Sequence, residues 1–280
     1  MVTALDLYNN AKSLLKLSGI DNYRFEAALL VEKATGIKKH ELPVKGAMLM
    51  SGELISFVGG MIDRRKNGEP LQYILGEWEF YGFDFKVGSG VLIPRQDTET
   101  LVDVVLERNK AESPVIADLC SGSGCIAVAL DKKIKSARVF AVELSSEALP
   151  YLTKNIKINS SGVKIICGDV TEKETLGNIP MCDVIACNPP YLSRKDMSVI
   201  QKDVGFEPEI AFFGGDDGLD FYRIIAKLWA EKLRSGGVLA FEIGIGQQNA
   251  VSGLLAENGF KNIQIKNDLC SIARVVSGNK

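Results

Sequence analysis

The sequence predicts a doubly wound α/β domain preceded by a helical bundle and a β-hairpin. Three observations carry this expectation. From residue 114 onward, apolar runs bounded by turn residues alternate with helical segments, the pattern of repeated βα units. Over residues 1–70 the apolar side chains recur at helical spacing. Between the two lies an aromatic, glycine-broken, β-prone stretch. The expected division is a helical substrate-recognition domain over 1–70, a β-hairpin linker over 71–93 and the α/β domain over 94–280.

Leu7, Tyr8, Ala11, Leu14 and Leu15 mark the first helix. A second follows a cap at Asp21 and carries Phe25, Ala28, Leu29 and Glu32, with Ala27, Leu30, Val31 and Ala34 widening its apolar face. Leu54, Phe57, Val58, Met61 and Ile62 mark a third. The run YILGEWEFYGFDFKV, Tyr73 to Val87, reads as a hairpin. Asp97 to Arg108 returns to a helical pattern. PVIAD, ARVFAVE, VKIICGD and CDVIACN read as strands buried on both faces. GCIAVAL, SEALPYLTKNIK, DFYRIIAKLWAEKL and QQNAVSGLLAEN read as the helices that cover them. After VLAFEI, the short connection between KNIQIK and SIARVVS suggests an antiparallel pair at the C-terminal edge.

Composition narrows the functional classes. Thirty-three basic and 35 acidic residues nearly cancel, which argues against a broad basic surface for nucleic acid. The first residues have no basic region and no small-residue cleavage site. No stretch approaches the roughly 18 apolar residues of a membrane span. A cytoplasmic location is the default. Cys120/Cys125 and Cys182/Cys187 share a spacing, but no Cys-x-x-Cys pair occurs and His40, the single histidine, is remote. Reduced, mostly buried thiols and no metal are expected. A histidine-driven hydrolase has little basis, and His40 itself reads as an exposed loop residue.

The first strand of the α/β domain runs into Asp118-Leu119-Cys120-Ser121-Gly122-Ser123-Gly124 and then a helix. Glycines there allow a tight turn and close approach of a ligand to the backbone. The loop is neither a P-loop nor a complete G-x-G-x-x-G. The next strand ends in Glu143, about twenty residues on, where an acid can grip ribose hydroxyls. The strand after that ends in Asp169, which can accept from an adenine amino group. Either acid alone could be a helix cap; with the loop they read as an adenosine site.

The following strand ends in Asn188-Pro189-Pro190-Tyr191. The prolines fix the backbone and remove donors, freeing the Pro189 carbonyl to face a ligand. With the Asn188 side chain it makes two acceptors for one NH2 group. Such a pair orients a planar nitrogen and favours the positive charge it gains on alkylation. Tyr191 offers a face to stack on that plane. The plainer alternative is a strand-terminating turn.

Glycine loop and Asn-Pro-Pro-Tyr together resemble the class I amino-methyltransferases, which include DNA adenine and cytosine N-methylases and glutamine N5-methyltransferases. Further segments resemble the PrmC/HemK family. They are Glu69 to Gly76, Leu92 to Glu99, Glu207-Pro208, Gly214 to Leu219, and Asp268-Leu269 with Arg274, in order over residues 69–276. The resemblance implies a class I S-adenosylmethionine-dependent, Rossmann-like methyltransferase domain behind an N-terminal helical bundle. It implies methyl transfer from S-adenosyl-L-methionine to the side-chain amide nitrogen of the glutamine in the Gly-Gly-Gln motif of class-1 peptide chain release factors, leaving S-adenosyl-L-homocysteine. Asp118, Cys120, Ser121, Gly122, Ser123, Gly124, Glu143, Asp169, Val170 and Asn188 are the implied cofactor residues, with Val170 against adenine. Asn188, Pro189, Pro190 and Tyr191 are the implied catalytic set. Two positions depart from the family pattern: Cys120 stands where glycine is commoner, and Gln96 where proline is. A DNA adenine N6-methyltransferase, a glutamine methyltransferase acting on a ribosomal protein, and a silent cofactor-binding scaffold are the alternatives. The expected partner is a release factor; a monomer without membrane or direct nucleic-acid contact is expected.

Overall fold

The computed structural model describes residues 1–199 and 204–280. The chain forms two compact units. One is built on Met1–Glu77 with a short segment ending at Phe206; the other runs from Trp78 through the remainder.

The first unit is helical: α1 (Ala4–Leu17), α2 (Tyr23–Thr35), α3 (Leu42–Lys45), α4 (Gly52–Lys66) and α5 (Leu71–Leu75). Leu7, Ala11 and Leu15 of α1 meet Ala27, Leu30 and Val31 of α2 and Val58, Met61 and Ile62 of α4 in its core. A capping box between Thr3 and Asp6 starts α1. At α2 the cap position falls on Asn22 instead of Asp21, and Phe25 is exposed. The helix buries the face that includes Glu26, whose carboxylate pairs with the Arg65 guanidinium at 2.7 Å. The expected hairpin over 73–87 is shorter than predicted, because residues 71–75 are helical. Pro70 supplies the N-cap and Gly76, left-handed at φ 73°, ends the turn.

In the second unit β1 (Glu77–Phe80) and β2 (Phe83–Lys86) form the hairpin. Then follow α6 (Glu99–Arg108), β3 (Val115–Leu119), α7 (Cys125–Lys133), β4 (Arg138–Glu143), α8 (Leu149–Ile158), β5 (Lys164–Cys167) and α9 (Lys173–Gly177). After these come β6 (Cys182–Cys187), α10 (Arg194–Met197), α11 (Asp220–Leu228), β7 (Leu233–Glu242), α12 (Gln248–Glu257), β8 (Lys261–Asn267) and β9 (Ala273–Asn279). The seven-stranded sheet has the order β5-β4-β3-β6-β7-β9-β8, and β9 runs antiparallel to both neighbours. The expected antiparallel C-terminal pair is present, with β9 wedged inside β8.

Successive residues of the central strands face opposite layers. Ile185 and Cys187 of β6 join α11 and α12 on one face, while Val184 and Ala186 join the hairpin, α6 and α7 on the other. Burial on both faces is why these strands read as unbroken apolar runs. β5 departs from that expectation: it is the sheet edge, and Lys164 and Cys167 are exposed. Phe80 and Phe85 of the hairpin lie in the same apolar cluster as α6 and α7.

Chain direction along the sheet reverses between β5 and β6, which returns to lie beside β3. In open α/β sheets ligands bind beyond the carboxyl ends of strands at such a switch point. The carboxyl ends of β3, β4, β6 and β7 lie in register along one edge, and every candidate site residue lies at or just beyond that edge.

Candidate active site

The loop after β3 turns sharply through residues of positive φ: Cys120 at 58°, Gly122 at 54° and Gly124 at 81°. Cys120 thus holds a left-handed conformation that glycine adopts without steric cost, which accounts physically for the usual preference for glycine there. Asp118 lies beneath the loop, fully buried. Its Oδ2 accepts from Ser121 Oγ at 2.7 Å and from the Ala127 amide at 3.1 Å. Burial pushes this carboxyl up to about 7.

A cavity of about 310 Å³ opens over the loop. Cys120, Ser121, Gly122, Ser123, Glu143, Asp169, Val170, Asn188 and Pro190 all line it. Asp118, Gly124, Pro189 and Tyr191 do not: the first braces the turn from below, and Tyr191 packs into the core beneath.

Glu143 closes β4 with its carboxylate fixed by main chain, Oε2 accepting from the Gly122 amide and Oε1 from the Ser145 amide, each at 2.7 Å. A carboxylate oxygen accepts two hydrogen bonds, so each keeps a site for a hydroxyl. The helix expected to start near Ser145 opens at Leu149; the residues between form a turn whose Ser145 hydroxyl accepts from the Ala148 amide at 3.2 Å. Asp169 uses Oδ1 for the amide and hydroxyl of Thr171, at 2.8 and 2.7 Å, which leaves Oδ2 for a ligand donor. Val170 is buried, its carbonyl held by the indole N–H of Trp229 at 2.8 Å. Two carboxylates with spare acceptor sites, an apolar wall and a glycine turn suit an adenosine: its ribose, its amino group and its plane.

At the other end of the cavity Asn188 follows β6. Its Nδ2 donates to Thr98 Oγ1 at 3.4 Å. The backbone of Pro190 and Tyr191 is clasped from several directions. A Cβ on Gly214 would lie 2.5 Å from the Pro190 oxygen, and one on Gly218 would collide with the Tyr191 oxygen. Only glycine permits that approach. The Gln247 side chain donates to the Tyr191 carbonyl at 2.9 Å while accepting from the Gly244 amide at 2.9 Å. Arg274, nearly buried, pairs with Asp97 at 3.0 Å and Asp268 at 3.2 Å. Burial raises the Glu242 carboxyl to about 7, and burial likewise raises the Tyr191 phenol.

The remaining wall comes from Gly90, Val91, Leu92, Pro94 and Arg95, with Pro208, Ile210 and Ala211. Glu207, buried, ties these segments by accepting from the Ile93 amide at 2.9 Å and pairing with Arg95. These segments carry no periodic signal, so sequence reasoning assigned them no part in the cavity. Gln96 is exposed and does not line it. All six thiols are free. Cys125, Cys182 and Cys187 are buried, whereas Cys167 and Cys270 are exposed, against the expectation of mostly buried thiols only at those two. His40 is exposed. Among the described residues no helix is long and apolar enough to cross a membrane.

Known proteins similar to this chain identify its family. Residues 6–76 match the family model of the PrmC N-terminal domain, and residues 95–204 that of the methyltransferase small domain. The chain is similar to the release factor glutamine methyltransferase of Geobacter sulfurreducens, at 39% identity over 95% of this chain and 93% of that one. It is similar to the proteins of the same name from Fusobacterium nucleatum (35% identity, 99% and 78% covered) and Neisseria gonorrhoeae (37%, 91% and 93%). Among solved structures, a methyltransferase from Pyrococcus furiosus has a TM-score of 0.54 at 17% identity, covering 72% of this chain and 90% of that one. The hMettl16 catalytic domain in complex with MAT2A 3'UTR hairpin 6 has a TM-score of 0.57 at 13% identity, covering 81% and 82%. These two share the class I methyltransferase fold. With sequence identity of this level over nearly its whole length, the chain belongs to the release factor glutamine methyltransferase family.

Proposed function

We propose that this chain transfers the methyl group of S-adenosylmethionine to the side-chain amide nitrogen of the glutamine in the Gly-Gly-Gln motif of class-1 peptide chain release factors, in the cytoplasm. The observation that carries the reading is that Asn188 and Pro190 line the same cavity as Glu143 and Asp169. This supports a reading in which a nitrogen held at Asn188 faces an adenosine held at Glu143 and Asp169. The names of the relatives support the choice of glutamine and release factor over a nucleobase.

When bound, S-adenosylmethionine supplies an electrophilic methyl group on sulfur. Glu143 accepts from the ribose hydroxyls, Asp169 from the adenine amino group, and Val170 packs on the ring. The backbone of Ser121 to Gly124 leaves room for the amino-acid portion. Asn188 Oδ1 accepts one hydrogen of the glutamine NH2, and the main chain of the Pro189-Pro190 turn, which reaches the cavity at Pro190, accepts the other, fixing the amide plane. An amide nitrogen is a weak nucleophile, so the rate comes from positioning and from acceptors that strengthen as positive charge builds. The proton leaves to water after transfer, and no step calls for a metal.

We assign selection of the protein substrate to the helical residues 1–70, which carry no group suited to the chemistry. A Trp78–Lys280 fragment keeps the hairpin that fills the α/β core; it should bind S-adenosylmethionine yet methylate release factor poorly.

The test is incubation with labelled S-adenosylmethionine and, separately, release factor, ribosomal proteins and duplex DNA, with the labelled atom mapped by mass spectrometry. Label on the glutamine side-chain nitrogen of the release factor is expected. Label on adenine, or on a ribosomal protein alone, overturns the assignment.

A further inference from the structure

A large apolar side chain standing singly in water is ordinary on a protein surface. Two turns of the α/β unit depart from that background. The first, residues 244–247, follows β7 and carries Ile245, which is 75% exposed. The second, residues 268–272, joins β8 to β9 and carries Leu269, which is 93% exposed, with Ile272 at its end. The strands bring them to one place. The Ile243 amide donates to the Arg274 carbonyl at 2.9 Å, and Ile245 and Ile272 each stand two residues beyond that bond, at the same end of the antiparallel pair β7 and β9.

Both turns are fastened to the Asn188 end of the cavity. Gln247 closes the first: its Oε1 accepts from the Gly244 amide at 2.9 Å, and its Nε2 donates to the Tyr191 carbonyl at 2.9 Å. Asp268 closes the second, its Oδ1 accepting from the Cys270 amide at 2.9 Å and the Ile272 amide at 3.0 Å. Its Oδ2 pairs with Arg274 at 3.2 Å, and Arg274 pairs with Asp97 at 3.0 Å. Asp97 precedes Thr98, which lines the cavity and meets the Asn188 amide. A swing of either turn that hid its apolar tip would break these bonds, so the structure itself maintains the exposure.

Resting on the reading that a release-factor glutamine enters at Asn188, we propose that Ile245, Leu269 and Ile272 form an apolar lip on which the segment flanking that glutamine docks. Position names the occupant. A glutamine within a protein brings its main chain and its neighbours to the rim of the end it enters, and these turns are tied to Tyr191 and Asp97 at that end. A Gly-Gly-Gln segment has no side chain but the glutamine, which the cavity takes. Contact outside the cavity then falls on glycine α-carbons and flanking residues, and apolar surface suits both because hydrophobic burial is non-directional. The lip adds a contact near the reacting nitrogen to the selection assigned to residues 1–70. It touches no reacting atom, so it acts on binding and not on the chemical step.

The experiment is steady-state methylation of a release factor at saturating S-adenosylmethionine by Leu269→Ala, Ile245→Ala and the double variant, beside cofactor calorimetry and thermal melts. Both side chains are exposed, so the variants should melt as wild type does. KM for release factor should rise about tenfold in each single variant and further in the double one, with kcat and cofactor affinity near wild type. Ile158→Ala removes an exposed apolar side chain from the far end of α8 and should leave KM unchanged. Cys270, exposed beside Leu269, gives a reading on the wild-type protein. Its alkylation by iodoacetamide, mapped by mass spectrometry, should slow when release factor and S-adenosylhomocysteine are added. An unchanged KM in the double variant overturns the proposal, as does a loss of kcat alone, an equal rise in KM for Ile158→Ala, or Cys270 alkylation indifferent to release factor. Self-association of wild type that Leu269→Asp abolishes while KM stays put gives the lip to a second copy and also overturns it. Wild-type protein that leaves release factor unmethylated would refute the function itself and remove this occupant with it, a result distinct from all the others.

Discussion

The two ends of the cavity are held by different means. At the end proposed to take the cofactor, the acids are fixed by their own neighbourhood. Asp169 bonds to Thr171 two residues on, and Glu143 to Ser145 two residues on and to Gly122 on the adjacent strand's loop. At the end proposed to take the nitrogen, Asn188 and the turn after it are held by Thr98, Gly214, Gly218 and Gln247, all distant in sequence. Near neighbours in sequence fix the first end, and remote residues fix the second. A cofactor that must be gripped can rely on strand ends, which any doubly wound sheet provides. A nitrogen that must be aimed needs convergent contacts, and those come from wherever the chain passes.

The difference predicts separable failures. Asn188→Ala should give the largest, a fall in single-turnover rate on the order of a hundredfold, by analogy with removing one donor from an oxyanion hole. Cofactor affinity, read by calorimetry, should change little; an equal loss in both would erase the distinction between the two ends. Gly214→Ala places a methyl group against the Pro190 carbonyl and forces the turn to shift, so the rate should fall about tenfold or more while cofactor binding persists. Glu143→Ala should do the reverse. Loss of a charge-assisted contact should weaken cofactor binding on the order of tenfold, with the rate near wild type once cofactor saturates. A rate defect that saturation does not repair would show that Glu143 also shapes the nitrogen end.

The smallest effect is on stability. Glu242 has an unfolded value near 4.5 and a folded value of about 7, so the fold binds this proton more tightly than the unfolded chain does. Its stabilising contribution is fully present below the unfolded value and is lost as pH rises through the folded one. Asp118 adds to the same trend. Urea unfolding should therefore show wild type weaker at pH 8 than at pH 5.5, and Glu242→Gln should reduce that difference. An unchanged pH dependence would mean that Glu242 is hydrated in solution and not a desolvated acid.

This contrast also explains what could be read in the sequence. Glu143, Asp169 and Asn188 each stand at the end of an apolar run; the contacts of the two acids are local enough for spacing to suggest their chemistry, and Asn188 is marked by the two prolines and tyrosine that follow it. The strand order's parallel part follows from βα alternation. Thr98, Glu242 and Gln247 gave no such signal, because nothing in a segment tells which distant segment will face it. Glu242 in particular sits at the end of an apolar strand, where it looks like one more strand-end acid; only the fold shows it buried. The hairpin was over-extended toward Tyr73 because Tyr, Ile and Leu suit strand and buried helix alike, and the decisive marks are Pro70 and Gly76 on either side. Edge position is likewise a tertiary fact, so β5 could not be told from its buried neighbours.

The insertion of β9 has a consequence for assembly. β9 is made after β8 yet must enter between β8 and β7. During synthesis, which presents the chain from its N-terminus, β3 to β6 and their loops are available early, and Glu143, Asp169 and Asn188 are already on the strands that carry them. The outer edge of β7 stays unpaired until β9 arrives, an open row of amides and carbonyls of the kind that recruits foreign strands. Arg274 arrives with the same strand. A nascent chain awaiting β9 thus has Glu143, Asp169 and Asn188 on their strands while Glu242 still lacks the nearby Arg274 cation, and the strand that pairs the open edge of β7 also completes the charge environment of Glu242.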